Sequence, residues 1–271
     1  MPVPLFLNPM MISNTMVPDS SQTPTPLQSC PALVLAGGLG TRLRTVYRNG
    51  PKCMAPVGGR PFLEYLLCWL RASGIRDLVM CVGYKSSQIQ RWLGDGSAKG
   101  FRVRYSVEEE LCGTAGALRL AAKMVGAPTC VVLNGDSFLE LDLEEIYRFH
   151  LSNQALATIA LAMVEDAERY GSVQFNRDGK IAAFMEKSQE GAMQASGSRS
   201  SQFINGGVYL LQRQLLDSIP FGQGVSLEKK IFPELVEGGL YGFPAPGFFI
   251  DIGVPADFIK AQVELVRRFS A

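Results

Sequence analysis

The sequence predicts an α/β protein, a parallel sheet with crossover helices in its first half that gives way to a strand-rich second half. Three observations carry this. From Ala32 onward, short apolar runs alternate with helix-patterned stretches of about ten residues, the rhythm of strands joined by crossover helices. Phe62, Tyr65, Leu66, Trp69 and Leu70 recur at the spacing i, i+3, i+4, i+7, i+8, which lines one face of a helix. The third is size: 271 residues, 47% of them hydrophobic, are enough for one large core.

Taken in order, "ALVLA" (32–36) reads as a buried strand. "PFLEYLLCWLRASG" (61–74) is the amphipathic helix, with Pro61 suited to its first turn and Gly74 to its stop. Strand "DLVMCVG" (77–83), helix "SSQIQRWL" (86–93), strand "FRVRYSV" (101–107) and helix "TAGALRLAAKMV" (114–125) continue the alternation. Strand "TCVVLNGD" (129–136) and helix "LEEIYRFHLSN" (143–153) complete the first half. Then "ALATIALAMV" (155–164), "GSVQFN" (171–176) and "IAAFMEK" (181–187) read as strands, the last two joined through the turn "NRDGK". "EGAMQASGSRSSQ" (190–202) is small and polar and reads as a mobile loop. Strand "FINGGVYLL" (203–211), helix "SLEKKIFPELV" (226–236), strand "GFFIDIG" (247–253) and helix "ADFIKAQVELVRRF" (256–269) close one domain over residues 31–271. Residues 1–30, rich in Pro, Ser and Thr and without periodicity, read as a disordered extension with no cationic n-region of a signal peptide.

Composition excludes several classes of function. Lys+Arg 26 against Asp+Glu 25 gives no broad field to attract nucleic acid or a membrane surface. No apolar run reaches the roughly 18 residues of a membrane span. Cys30, Cys53, Cys68, Cys81, Cys112 and Cys130 form no C-x-x-C pair, and read as reduced structural thiols of a cytoplasmic protein. His150, at the end of a helix, is the only histidine and reads as a partner of the C-terminal helix dipole. Catalysis by Ser-His-Asp, Cys-His or a His-rich metal site is thereby excluded. Transfer of a nucleotidyl group to a phosphate needs no histidine, because the attacking oxygen is already ionised; alignment and charge stabilisation suffice.

The residues that suit such chemistry lie at strand ends, where open α/β sheets bind ligands. Gly37-Gly38-Leu39-Gly40 follows the first strand; it is neither a Walker A loop nor G-x-G-x-x-G, since Leu43 occupies the last position. Thr41, Arg42 and, after Pro51, Lys52 add a hydroxyl, a guanidinium fork and an ammonium for several phosphates. Asp136 and Asp251 each end a strand; either alone reads equally as a loop-capping residue, but the pair beside a polyphosphate site suits Mg²⁺, which takes one or two carboxylates beside phosphate and water. Glu186-Lys187 and Asn205-Gly206-Gly207, also at strand ends, are either turn residues and solvated charges or hydrogen-bond partners of a polyhydroxylated substrate and its phosphate. The run Glu108-Glu109-Glu110 is either a solvated acidic loop or a reader of guanine, whose N1–H and N2 amino group are two donors that one carboxylate accepts together.

"LAGGLGTRLR…PKCMAPVGGRPFLEYLL", "EEELCGTAGAL", "VVLNGDSF", "EK", "INGGVYLL" and "FFIDIGVPADF" together resemble the sugar-1-phosphate nucleotidyltransferases, from about Ala32 to the C-terminus. "RYGSV", "FINGGVYLL", "SLEK" and "GFFIDIGVPADF" are most similar to the subgroup of D-glycero-α-D-manno-heptose 1-phosphate guanylyltransferases. The resemblance implies a Rossmann-like mixed sheet flanked by helices, in the glycosyltransferase-A manner. It implies transfer of GMP from GTP to a sugar 1-phosphate with Mg²⁺ as cofactor, and leaves a homo-oligomer open. By position, Leu35, Ala36, Gly37, Gly38, Gly40 and Thr41 would bind the nucleotide, and Arg42 and Lys52 would act on the reacting phosphates. Glu108, Gly113 and Thr114 would lie by the base, and Asp136 and Asp251 would hold the metal. Glu186, Lys187, Asn205 and Gly206 would take the sugar and its phosphate. Cys53 in place of a usual proline, and Leu111-Cys112 in place of Pro-Leu, alter loop stiffness and remove no reacting group. A mannose 1-phosphate guanylyltransferase, a thymidylyl or uridylyl relative, and a non-catalytic sugar-nucleotide sensor are the alternatives.

Overall fold

The computed structural model describes residues 26–165, 172–185, 202–222, 224–236 and 238–270. A 3₁₀ turn, Pro26–Ser29, precedes strand β1, Ala32–Ala36. Its Leu27 is buried together with Cys30, so packing begins ahead of the Pro31 boundary that composition suggests. A short hairpin, β2 (Pro56–Val57) and β3 (Arg60–Pro61), leads into helix α1, Phe62–Ala72. The helical stripe expected there is the buried one: Phe62, Tyr65, Leu66 and Leu70 are at most 1% exposed. Strand β4 (Asp77–Val82), α2 (Ser86–Leu93), β5 (Arg102–Val107) and α3 (Gly113–Ala121) keep the expected alternation.

The run read as one strand over 129–136 is broken. Strand β6 spans Thr129–Asn134, Gly135 and Asp136 turn, and a separate β7 covers Ser137–Leu139. Helix α4, Leu143–Ser152, starts at Asp142, whose side chain accepts from the Glu144 amide at 2.8 Å. Strands β8 (Ala157–Val164), β9 (Ser172–Phe175) and β10 (Ile181–Met185) follow, then β11, Gln202–Gln212. The turn between β9 and β10 forms as its residues dictate. Asn176 Oδ1 accepts from the amides of Asp178 and Lys180, and Gly179 takes φ +81°. Helix α5 (Arg213–Ser218), a π-turn at Leu227–Ile231 running into α6 (Phe232–Leu235), strands β12 (Leu240–Ala245) and β13 (Phe249–Asp251), and helix α7 (Pro255–Phe269) complete the chain.

The main sheet runs β5-β4-β1-β6-β11-β8-β12, with the β9-β10 hairpin attached beside the start of β11. Strands β6, β1, β4 and β5 are parallel; β11 is antiparallel to both β6 and β8. The sheet is therefore mixed, as the family resemblance implies, and apolar on both faces. Along β1, Val34 joins the core under α1 and α7, while Leu33 points into the core under α3 and α6.

Sequence reading missed β12. Its Gly242 and Pro244 argue against a strand, but β12 lies at the sheet's edge beyond β8, where Pro244 needs no ladder donor on the outer side and Gly242 N donates to Gly179 O at 2.8 Å. His150 also differs from expectation. It is 1% exposed, with Nδ1 2.9 Å from Thr158 Oγ1, and burial pushes it down to about 4. A neutral imidazole is a core residue, not a cationic dipole partner. The six cysteines are free, and burial pushes Cys30 up to about 11 and Cys53 up to about 12. Such thiols are protonated at neutral pH and act as small hydrophobes.

Candidate active site

A cleft of about 210 Å³ opens at the carboxyl ends of β1 and β6, beside the end of β13. Leu35, Ala36, Gly38 and Gly40 form one wall, and Thr41, Arg42 and Lys52 another. Gly135 and Asp136 after β6, and Gly253 after β13, also line it. The loop after β1 uses its glycines for two different reasons. Gly40 sits at φ +59° and starts the 3₁₀ turn Thr41–Thr45, whose Leu43 is buried as an anchor beneath the exposed Arg42. Gly37 is needed for close approach, since a Cβ there would lie 2.3 Å from Glu108 Oε1.

Lys52 begins a 3₁₀ turn, Lys52–Met54, pinned by buried Cys53 and by Tyr47 Oη donating to Met54 O at 3.3 Å. The chain leading to it is held by α2 and the turn before it. Lys85 Nζ donates to Arg48 O and Asn49 O at 3.3 Å, and Gln88 Nε2 donates to Asn49 O at 2.9 Å. So placed, the Lys52 ammonium contacts Asp136 Oδ2 and lies 3.6 Å from Asp251 Oδ1, with only 11% of its side chain exposed. The two aspartates, 115 residues apart in sequence, meet because β13 pairs antiparallel with β7, Asp251 opposite Ser137. Ile252 N donating to Asp136 O at 2.9 Å extends that pairing. Burial first, and the Asp136 charge second, push Asp251 above the usual carboxylate range; Lys52 opposes both. The Gly253 amide donates to Asp251 Oδ1 at 2.6 Å, and a Cβ at Gly253 would fall 2.8 Å from Lys52 Nζ.

The donor set fits Mg²⁺. Two carboxylates converge on a single cationic atom beside a glycine loop, which is the chemistry a hard divalent ion uses. Among the described residues no group of three or more His, Cys, Asp and Glu gathers, so such an ion would draw its other ligands from phosphate and water.

The acidic run divides. Glu108 is 9% exposed, its Oε2 accepting from the Cys112 amide at 3.0 Å, and burial raises its carboxyl above the usual range. Glu109 and Glu110 face solvent. Gly113 and Thr114 lie at the start of α3, against the segment Val225–Glu228. On β11, Asn205 sits where the register with β8 shifts. Its Nδ2 donates to Tyr209 Oη at 3.0 Å, and its Oδ1 accepts from the Gly207 amide at 2.9 Å. Asn134 at the end of β6 also donates to that hydroxyl, at 3.3 Å, which ties the Asn205-Gly206 bulge to the Gly135-Asp136 turn. Glu186, Lys187 and the loop from 190 to 201 lie outside the described residues.

Gly135, Gly253 and Tyr209 were not singled out from sequence. The two glycines carry a legible signal, each lying within two residues of a strand-end aspartate. Tyr209 has none, because only the fold shows a buried hydroxyl shared by two asparagines.

Comparison with known proteins bears on the family and the fold. The model of the nucleotidyl transferase family matches residues 31–268. The D-glycero-alpha-D-manno-heptose 1-phosphate guanylyltransferase of Aneurinibacillus thermoaerophilus is 37% identical over 235 residues, covering 86% of this chain and 97% of that enzyme. The mannose-1-phosphate guanylyltransferase of Mycobacterium tuberculosis is 36% identical over 239 residues, covering 87% of this chain. This chain spans only 64% of that relative's length. The crystal structure of HddC from Yersinia pseudotuberculosis complexed with GMP-PN has a TM-score of 0.74 at 31% identity, covering 86% of this chain and 98% of that one. By sequence pattern over nearly the whole described body, and by fold, the chain belongs to the nucleotidyl transferase family.

Proposed function

We propose that the protein transfers GMP from GTP to a sugar 1-phosphate, D-glycero-α-D-manno-heptose 1-phosphate first among candidates, and releases pyrophosphate. One observation carries the reading: Lys52, Asp136 and Asp251 converge at the mouth of the Gly37–Gly40 loop. A phosphate oxygen of the sugar 1-phosphate attacks the α-phosphorus of GTP in line. The bond from that phosphorus to the bridging oxygen breaks, and the electron pair leaves with pyrophosphate. No proton need be removed from the nucleophile, which suits a cleft whose walls carry no histidine. Loop amides and Arg42 hold the triphosphate, and Lys52 neutralises charge growing on the transferred phosphate. Asp136 and Asp251 would hold Mg²⁺, which when bound supplies charge neutralisation to the phosphate oxygens. Glu108 reads guanine N1–H and N2–H. Asn205 and Gly206, with Glu186 and Lys187, take the sugar phosphate.

The heptose reading is supported by a relative matched over 97% of its length. The mannose reading is the second, supported by 36% identity to an enzyme longer than this chain. Among the described residues no helix is long and apolar enough to cross a membrane. Pyrophosphate release over a matrix of four nucleoside triphosphates and several sugar 1-phosphates tests the proposal. Turnover with GTP and the heptose phosphate above all other pairs supports it. Tight binding of a GDP-sugar with no turnover for any pair would identify a sensor instead.

A further inference from the structure

Resting on the reading of Glu108 as the guanine acceptor, we infer that Glu228 is a positioning residue that sets nucleotide selectivity without touching the nucleotide. Among the described residues Glu108 is oriented by one amide, that of Cys112, at 3.0 Å. The position of that amide is set by a segment more than a hundred residues away. Val225 N donates to Cys112 O at 3.0 Å, and Val225 O accepts from the amides of Ala115 and Gly116 at 3.0 and 3.3 Å. The contact is close enough that Gly113, at φ +75°, would place a Cβ 2.4 Å from Val225 O.

The side chains lock the junction from both sides. Thr114 Oγ1 accepts from Leu227 N at 2.8 Å and gives its one proton to Glu228 Oε2 at 2.8 Å. Ser226 Oγ donates to the same oxygen at 2.7 Å and accepts from Lys229 N at 3.2 Å. One carboxylate oxygen thus collects two hydroxyl protons, one from α3 and one from its own turn. A charged acceptor makes such bonds roughly twice as strong as neutral ones. Thr114 has no proton left for a base, so its service to the nucleotide is through position. Loss of the Glu228 carboxylate frees both hydroxyls and lets residues 112–116 move, and Glu108 moves with Cys112.

The experiment compares wild type with Glu228→Ala, Glu228→Gln and Ser226→Ala. Two readouts are taken, kcat and KM for GTP and ATP with the same sugar 1-phosphate, and hydrogen exchange of the amides over 112–116. Glu228→Ala is expected to cut the GTP-over-ATP ratio of kcat/KM by about tenfold, chiefly through a higher KM for GTP, the scale of one lost charged hydrogen bond. The KM for the sugar 1-phosphate stays unchanged, and exchange over 112–116 quickens. Glu228→Gln, whose amide oxygen still accepts both hydroxyls, keeps the ratio within about twofold. Ser226→Ala, which leaves the Thr114 bond, gives a smaller fall and stands in if Glu228→Ala fails to fold. Unchanged exchange over 112–116 in a folded variant overturns the inference, as does an equal loss with every nucleotide. A wild type without GTP preference would instead overturn the role of Glu108, and the exchange measurement still decides whether Glu228 holds the loop.

Discussion

The buried histidine gives the structure's most direct quantitative test. His150 is 1% exposed, its Nδ1 is engaged with Thr158 Oγ1, and its Nε2 is buried without a hydrogen-bond partner among the described residues. Burial pushes it down from 6.5 to about 4. Between those values the unfolded chain holds a proton that the folded protein refuses, so stability rises with pH across this window. Read downward, the folded state weakens as pH falls through 6.5, and the loss levels off below about 4. Each pH unit is worth about 1.4 kcal/mol, so the imidazole alone costs about 2 kcal/mol by pH 5 and about 3 kcal/mol at most. Glu108 and Asp251 are raised, and their contribution has the opposite sign, favouring the folded state as they protonate. The variant His150→Gln isolates the histidine, because the amide can still meet the Thr158 hydroxyl but cannot ionise. Urea unfolding at pH 7 and pH 5 should show wild type losing about 2 kcal/mol more than His150→Gln over that interval. Parallel pH dependence in the two proteins would refute the argument and mean that the site hydrates or opens on protonation.

Three further outcomes concern the cleft. Lys52→Met should lower kcat by about 10²-fold or more, the scale for removing an oriented charge donor, and a change confined to KM would limit Lys52 to ground-state binding. Asp136→Ala and Asp251→Ala should each abolish Mg²⁺-dependent turnover with the fold retained, and each should weaken Mn²⁺ binding followed by electron paramagnetic resonance; near-normal turnover of Asp251→Ala at low Mg²⁺ would rule out a shared ion. Glu108→Gln should erode GTP preference more than stability, and Gly37→Ala, which drives a methyl against Glu108 Oε1, should raise the KM for GTP in the same direction. Wild type using UTP as readily as GTP would remove that role from Glu108.

Much of the fold was legible in the pattern of apolar residues. Helix α2 begins and ends at the residues its spacing indicates, and β1, β4 and β6 start where their apolar runs do. These are segments whose local preference and final environment agree. The failures fall where they disagree. Strand β12 contains Pro244, which a strand interior tolerates only where no ladder donor is needed, as at an edge, and no local pattern says which strand is the edge. His150 follows a helix C-terminal pattern, yet the packing of α4 on β8 buries it beside Thr158.

The candidate site divides along the same line. The chain by itself determined the chemistry available: a glycine loop with two cations, two strand-end carboxylates, an acidic run, and a single histidine too few for acid–base machinery. Those are properties of residue type and short spacing, and they survive without any knowledge of the fold. Only the tertiary structure decided which of these groups act together. Asp136 and Asp251 share Lys52 because β7 and β13 pair, and Glu108 alone of its run turns inward because Gly37 leaves room for its carboxylate. Glu228, given no role by its residue type or spacing, closes a junction between distant segments. Distances between residues far apart in sequence are set by sheet order and register, which depend on the packing of the whole core rather than on any short stretch of it.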